Sequence, residues 1–268
     1  MITSTSNSHI KSIRKLRERK ERVETGLFYA EGLRLVGEAI QLDWDIEELL
    51  FSQDLLISEF GKELVQQANG RDIRIVELSP EVFRYLSNKD GPQGIAIIAR
   101  QRAYDLDFIS EKQGLWVGLE GIQDAGNLGT IIRTADGAGA QGILLLNNCI
   151  DPFDPAVVRA SMGAIFSQKV VLTTTVSFVP WANNYQGLII GTSDKANTYY
   201  RDMQYTKSMI LLMGSEQKGL SEELHKICKM VSIPMVGRSD SLNISIATGV
   251  LLYEIYDQAH KNSLEGMD

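Results

Sequence analysis

Two cysteines stand among the 268 residues, Cys149 and Cys228. They are too far apart for a CxxC pair and too few for a disulfide framework or a zinc cluster. The three histidines, His9, His225 and His260, are scattered and fall outside every motif described below, so none is given a role and no metal is expected. No apolar run approaches the roughly 18 residues that span a bilayer, and no membrane association is expected. The opening, MITSTSNSHIKSIRKLRERK, lacks the apolar segment of a secretory signal, which makes a cytoplasmic location the expectation. No internal repeat or low-complexity tract is visible. What is present is 44% hydrophobic residues, enough for a substantial core divided between two domains.

Charge is unevenly placed. Residues 1–22 carry seven basic side chains (Lys11, Arg14, Lys15, Arg17, Arg19, Lys20, Arg22) against Glu18 and Glu21, a net +5. The whole chain is −7, so the remainder carries −12. A basic arm on an acidic body suits attraction to phosphates, whose charge dominates nucleic-acid affinity. The competing reading is an amphipathic helix, with Ile10, Ile13 and Leu16 inward and Lys11 and Lys15 toward water.

From Leu27 to Arg100, helix-like stretches at 32–42 and 58–68 alternate with apolar runs at 46–51, 73–77 and 94–99, the pattern of a small α/β unit. The polar stretch 101–113 reads as the connection, giving domains at 1–103 and 114–268. In the second, strands are expected at 114–119, 143–146, 169–172, 188–191, 209–213 and 231–233. Several are continuous apolar runs, which belong to strands covered on both faces. The expected fold class is therefore α/β, with a mainly parallel sheet flanked by helices. Helices should begin near Leu128, Asp154, Ser221 and Asn243. The last is apolar on more than one side at Ile246, Val250, Leu251, Leu252, Ile255 and Tyr256, which suggests a homodimer contact, with burial in the monomer as the rival.

Three segments concentrate Asn, Arg, Glu, Ser and Gly where strands should hand over to loops or helices: GIQDAGNLGTIIRTADGAG, ILLMGSEQKGLS and IPMVGRSDSLNISIATGVLLYE. They form the leading candidate for a composite ligand and catalytic site. GAGAQG satisfies the GxGxxG spacing at Gly137, Gly139 and Gly142, but these glycines close a helix and precede a strand. A dinucleotide fingerprint does the reverse. A nicotinamide-dependent oxidoreductase therefore rests on that spacing alone. A Walker loop is absent, because GSEQKGLS lacks the GK[ST] ending.

Together the three segments resemble the motifs of the SpoU (TrmH) family of RNA methyltransferases, which carry a trefoil-knotted α/β domain. The resemblance rests on Asn127 and Arg133 six residues apart, on the Gly214, Glu216 and Gly219 loop, and on Ile233, Pro234 and Met235 with Ser241, Leu242 and Asn243. RASMGAIF, residues 159–166, resembles the segment between the family's first two motifs. The front domain resembles a substrate-binding module, similar in fold to ribosomal proteins that hold kinked RNA, and favours ribosomal RNA over transfer RNA.

The resemblance implies an S-adenosylmethionine-dependent 2′-O-ribose methyltransferase acting as a homodimer. The alternatives are a transfer RNA enzyme and a noncatalytic RNA-binding or ribosome-assembly factor. It places the methyl donor near Thr192, Gly214, Ile233, Met235 and Leu242, where Gly214 would permit close backbone approach. Arg133 is implied as the activator of the ribose hydroxyl, with Asn127 beside it, Glu216 orienting one of them, and Ser241 and Asn243 at the start of the final helix. A guanidinium stays protonated to beyond about pH 12, so the sounder role for Arg133 is to bind the adjacent phosphate or the developing alkoxide.

Overall fold

The structure, a computed structural model, describes residues 1–87, 90–109, 114–215 and 217–264. The chain divides into two compact units. One comprises Met1–Gln101 with Asp151–Ser167; the other comprises Arg102–Ile150 and the chain from Gln168 onward.

The first unit opens with α1 (Ser8–Lys15) and α2 (Arg19–Thr25). There follow β1 (Leu27–Glu31), α3 (Leu33–Gln41), β2 (Ile46–Phe51), α4 (Glu59–Asn69), β3 (Arg74–Glu77), α5 (Pro80–Leu86) and β4 (Ile95–Arg100). The strands form one sheet in the order β1-β4-β2-β3. Both β1 and β2 run antiparallel to β4, and β2 runs parallel to β3. Helix starts are set by side-chain caps: Asn7 accepts from the His9 N–H at 2.9 Å, and Ser58 and Ser79 cap α4 and α5. The basic arm is thus folded as helix. Ile10, Ile13 and Leu16 are buried against Leu78, Val82 and Phe83, while Lys11 and Lys15 face solvent.

The second unit begins with β5 (Gly114–Glu120), α6 (Ala125–Gly137) and β6 (Gly142–Leu146). After an excursion containing α7 (Pro155–Ala160) it continues with β7 (Lys169–Thr173), α8 (Thr175–Ala182), β8 (Leu188–Thr192), β9 (Ser208–Gly214), α9 (Glu222–Ile227), β10 (Lys229–Val231) and α10 (Ile244–Leu264). Its six strands pair in the order β10-β8-β9-β5-β6-β7, every pair parallel. The apolar runs explain why: all five residues of β6 and five of the seven in β9 are buried, as strands covered on both faces must be. Gly142 serves the sheet. A Cβ there would stand 2.3 Å from the Lys169 carbonyl oxygen and 2.4 Å from the Trp116 ring. The GAGAQG glycines accordingly end α6 and enter β6.

Two expected boundaries move. Helix α6 starts at Ala125 rather than near Leu128, because the Asp124 carboxylate accepts from the Asn127 N–H at 2.7 Å and caps the helix earlier. Strand β10 runs from Lys229 to Val231 rather than over 231–233: Ser232 pairs instead with Tyr199 in an isolated bridge, and Pro234 has no N–H with which to continue a ladder. Sequence pattern does not mark β1, α5 or α8.

The excursion Asp151–Ser167 packs within the first unit. Phe153 lies against Phe28 with ring centroids 5.0 Å apart, and Phe166 meets Trp44 edge-on at 5.2 Å. Arg22 of the basic arm is 1% exposed. Its Nε donates to Asp151 at 2.6 Å, its Nη2 to Asp154 at 3.2 Å, and its Nη1 to the carbonyls of Leu16 and Arg17. Arg22 is therefore unavailable to a phosphate, a correction to its count within the basic arm.

Burial pushes the Cys228 thiol up to about 12, and burial raises that of Cys149 as well. Since alkylation needs the thiolate, both cysteines should react with iodoacetamide far more slowly in the native protein at pH 8 than in urea, as read by intact-mass spectrometry. Among the described residues no helix is long and apolar enough to cross a membrane. Among them, too, no group of three or more His, Cys, Asp or Glu is placed to hold a metal.

Candidate active site

Parallel pairing brings three of the proposed donor-binding positions to one sheet edge. Gly191 pairs with Leu212, and the next residue, Thr192, directs its hydroxyl to the Met213 sulfur at 3.7 Å. Thr192 also pairs with Val231, after which the chain leaves the sheet toward Ile233 and Met235. Thr192, Gly214 and Ile233 thus lie at or just beyond the carboxyl ends of β8, β9 and β10, the edge where open α/β sheets bind ligands. Ile233 and Leu242 are half-buried, and Met235 is 37% exposed. Among the described residues the main-chain N–H groups of Ile233, Met235 and Leu242 make no hydrogen bond, so they remain available to an adenine edge.

Gly214 has a different neighbour from the one expected. A Cβ at 214 would fall 2.0 Å from the Gly219 carbonyl carbon and 2.2 Å from the Leu220 nitrogen. The loop returns on itself there, with the Gly219 N–H donating to the Ser215 carbonyl at 2.8 Å. What the glycine admits is its own loop, and the shape of the crevice depends on that return. Gly214→Ala should weaken S-adenosylmethionine binding at least about tenfold in isothermal titration, because backbone on both sides of the clash has to move. Unchanged affinity would show that the loop adapts freely. Glu216 lies outside the described residues.

Asn127 and Asn243 meet across 116 positions of sequence: the Asn243 Nδ2 donates to the Asn127 Oδ1 at 3.0 Å. Asn243 also caps α10, its Oδ1 accepting from the Ser245 N–H at 2.9 Å and from the Ser245 hydroxyl at 2.6 Å. Capping and clamping therefore use different atoms of one amide. Asn127 lies in the first turn of α6, whereas Arg133 is the ninth residue of that helix. A spacing of six turns the two about 120° apart around the axis. Arg133 is exposed and, among the described residues, makes no hydrogen bond or ion pair within the chain. Ser241 is likewise exposed. The fold joins Asn127 to Asn243 and leaves Arg133 facing outward.

The SpoU rRNA methylase family pattern matches residues 114–253, more than half of the chain. The chain belongs to this family. The expectation of a trefoil-knotted α/β domain stands with it. An MRM3-like substrate binding domain matches residues 7–97. Two relatives align over most of both proteins. One is the 23S rRNA (uridine(2479)-2′-O)-methyltransferase of Streptomyces viridochromogenes, 30% identical over 91% of this chain and 87% of that protein. The other is the 23S rRNA (guanosine(2553)-2′-O)-methyltransferase RlmP of Bacillus subtilis, 28% identical over 95% and 98%. Among solved structures, the AdoMet-bound rRNA methyltransferase from Sinorhizobium meliloti superposes with a TM-score of 0.88 at 36% identity, covering 96% of this chain and 97% of that one.

Beside the SpoU motif positions the structure reveals a carboxylate that the sequence reading passed over. Glu120, at the end of β5, accepts from the Asn147 side chain at 3.0 Å, the Thr175 hydroxyl at 3.2 Å and the Ser221 N–H at 2.7 Å. One side chain thus ties the loops following β6, β7 and β9. Asn147 adopts a left-handed backbone, φ +62°, and its own Oδ1 accepts from the Thr175 N–H at 2.9 Å. A cleft of about 460 Å³ opens here, bordered by Glu120, Gln123, Asn148, Ser215 and Lys218. The only sequence signal was a charged residue closing an apolar strand.

Proposed function

We propose that the chain transfers a methyl group from S-adenosylmethionine to the 2′-hydroxyl of a ribose in ribosomal RNA, as a cytoplasmic homodimer. Residues 1–103 hold the RNA and residues 114–268 carry the reaction, except that Asp151–Ser167 of the second span packs within the first compact unit. The observation that carries this reading is the Asn127–Asn243 hydrogen bond, which locks the first SpoU motif to the third.

S-adenosylmethionine, when bound, supplies an electrophilic methyl carbon. The chain's task is to align that carbon with a sugar oxygen and manage one proton. Alignment is the larger contribution, on the order of 7–11 kcal/mol of barrier against about 10²–10⁴ in rate for a positioned base. Thr192, Gly214, Ile233, Met235 and Leu242 would hold the donor, the amides of Ile233, Met235 and Leu242 being free to read adenine and the Ile233 and Met235 side chains being able to flank it. The residues suit that group because those amides are uncommitted in the segment between β10 and α10. Arg133 binds the neighbouring phosphate or the developing alkoxide through its planar fork. Asn127 and Asn243 fix the approach, with Ser241 and Glu216 as further members of the site.

An exposed stripe on α10 supports the homodimer: Ile246, Tyr253 and Tyr256 are 56%, 54% and 42% exposed, while Leu251, Leu252 and Ile255 are buried on the opposite side. Ile246→Glu should convert dimer to monomer in sedimentation velocity, through the cost of burying an unpaired carboxylate. A wild type sedimenting as a monomer, or an unchanged variant, counts against this assembly.

Ribosomal RNA from cells lacking the protein, incubated with it and with methyl-labelled donor, is expected to gain label as one 2′-O-methylated nucleotide. Transfer RNA serves as the comparison. Donor binding without transfer to any RNA class would favour the noncatalytic reading.

A further inference from the structure

The cleft held by Glu120 adjoins the donor-binding edge at one place, where Glu120 pairs with Gly214 and Ser215 enters the cleft wall. It borders the carboxyl ends of β5 and β6, whereas Thr192, Ile233, Met235 and Leu242 do not line it. We propose that this cleft receives the unpaired nucleobase of the nucleotide undergoing methylation, its edge read by Gln123 and Asn148. The identity of the base as the acceptor's rests on the methyltransferase reading; the affinity for a base does not.

Three observations define the ligand class. First, the lining is built from amides. Asn147 is committed, since its Nδ2 serves Glu120 and Thr175 and its Oδ1 serves the Thr175 N–H. Gln123 uses its Nε2 on the Asn148 and Gly121 carbonyls, and its Oε1 accepts nothing among the described residues. The Asn148 side chain likewise makes no hydrogen bond among them. One acceptor on Gln123 and the complete amides of Asn148 and Gln217 therefore remain among the described residues, a mixed donor and acceptor set that suits the edges of bases.

Second, Glu120 contributes a carboxylate to the same wall that offsets the Lys218 ammonium, so the lining has no net positive charge with which to select a phosphate. Three of its acceptor positions are taken by Asn147, Thr175 and Ser221, which makes it a positioning residue for the cleft rather than a reader. Third, Gly121 and Gly219 contribute bare backbone to the lining. A Cβ at either would meet nothing within 4 Å, and both have positive φ, +68° and +66°. A flat ring can lie against such peptide faces with no side chain intervening. The volume, about 460 Å³, is within the range of small-molecule sites. RNA offers such a site splayed bases from loops and bulges, which sequence-specific readers take individually.

Saturation-transfer NMR on the full chain tests the assignment. The four 5′-nucleoside monophosphates are titrated separately with S-adenosylhomocysteine saturating, so that the donor crevice is filled. The expected result is saturation of base protons in at least one nucleotide, with Gln123→Ala and Asn148→Ala each weakening its binding about fivefold or more. Both substituted positions are exposed, and S-adenosylhomocysteine affinity should stay within about twofold in each variant. Three results would overturn the proposal: no base-proton saturation with any nucleotide, saturation unaffected by both substitutions, or nucleotide displaced by S-adenosylhomocysteine. If nucleotide binds as expected while no RNA accepts a labelled methyl group, the cleft stands and the methyltransferase reading falls.

Discussion

Replacing Arg133 by alanine is expected to lower kcat for methyl transfer by about 10²- to 10³-fold, the loss typical of one donor aimed at developing negative charge. Donor affinity should change little, because Arg133, in the third turn of α6, is not among the positions proposed to hold the donor, Thr192, Gly214, Ile233, Met235 and Leu242. The side chain is exposed and free of ion pairs among the described residues, so its removal leaves no buried partner stranded. The fold should therefore persist, and the deficit is chemical. Arg133→Lys divides the possibilities. Charge alone would be restored by the ammonium, whereas bidentate recognition of a phosphate needs the planar fork. Single-turnover transfer to ribosomal RNA, with donor affinity measured in parallel, gives the answer. Full activity in the lysine variant would remove the arginine-specific role, and full activity in the alanine variant would remove Arg133 from the site.

Arg22→Ala should be the most damaging single change to stability in the first unit. The guanidinium is buried and saturated by two carboxylates and two carbonyls. Deleting one partner of such a buried pair costs about 3–5 kcal/mol, because the opposite charge stays behind without compensation. Asp151 and Asp154 are partly held by their own turns, accepting from the N–H groups of Phe153 and Ala156 at 2.9 Å, which places the cost toward the lower end. Scanning calorimetry should show the first transition fall by roughly 10 °C. Lysine cannot reach four acceptors and should recover only part of the loss. Adding Asp151→Asn to the alanine variant should restore some stability, since it removes the stranded charge. If the double variant is no better than the single one, the carboxylate is not what makes the loss expensive.

Sequence pattern reached most of the second unit for a definite reason. Runs such as ILLL at 143–146 and MILLM at 209–213 have no polar side to offer, and only a sheet covered on both faces accommodates them. Strand β1 was missed because LFYAE is short and ends in a charge, and α8 because Pro180 sits inside it. The early start of α6 was visible in principle in Asp124 two residues before Gly126, a helix cap that gives way in the reading to the more conspicuous apolar Leu128.

By itself the sequence determined the layer architecture, the parallel sheet and the starts of α7, α9 and α10, because hydrophobic period, capping residues and proline act over a few neighbours along the chain. Tertiary structure alone decided three things. It withdrew Arg22 from the surface into an ion-pair cluster, packed Asp151–Ser167 with the first unit, and made Glu120 the tie between three loops. Each depends on groups 27 to 132 positions apart. Nothing in local pattern encodes which distant carboxylate, carbonyl or amide will be close enough to satisfy a buried polar group.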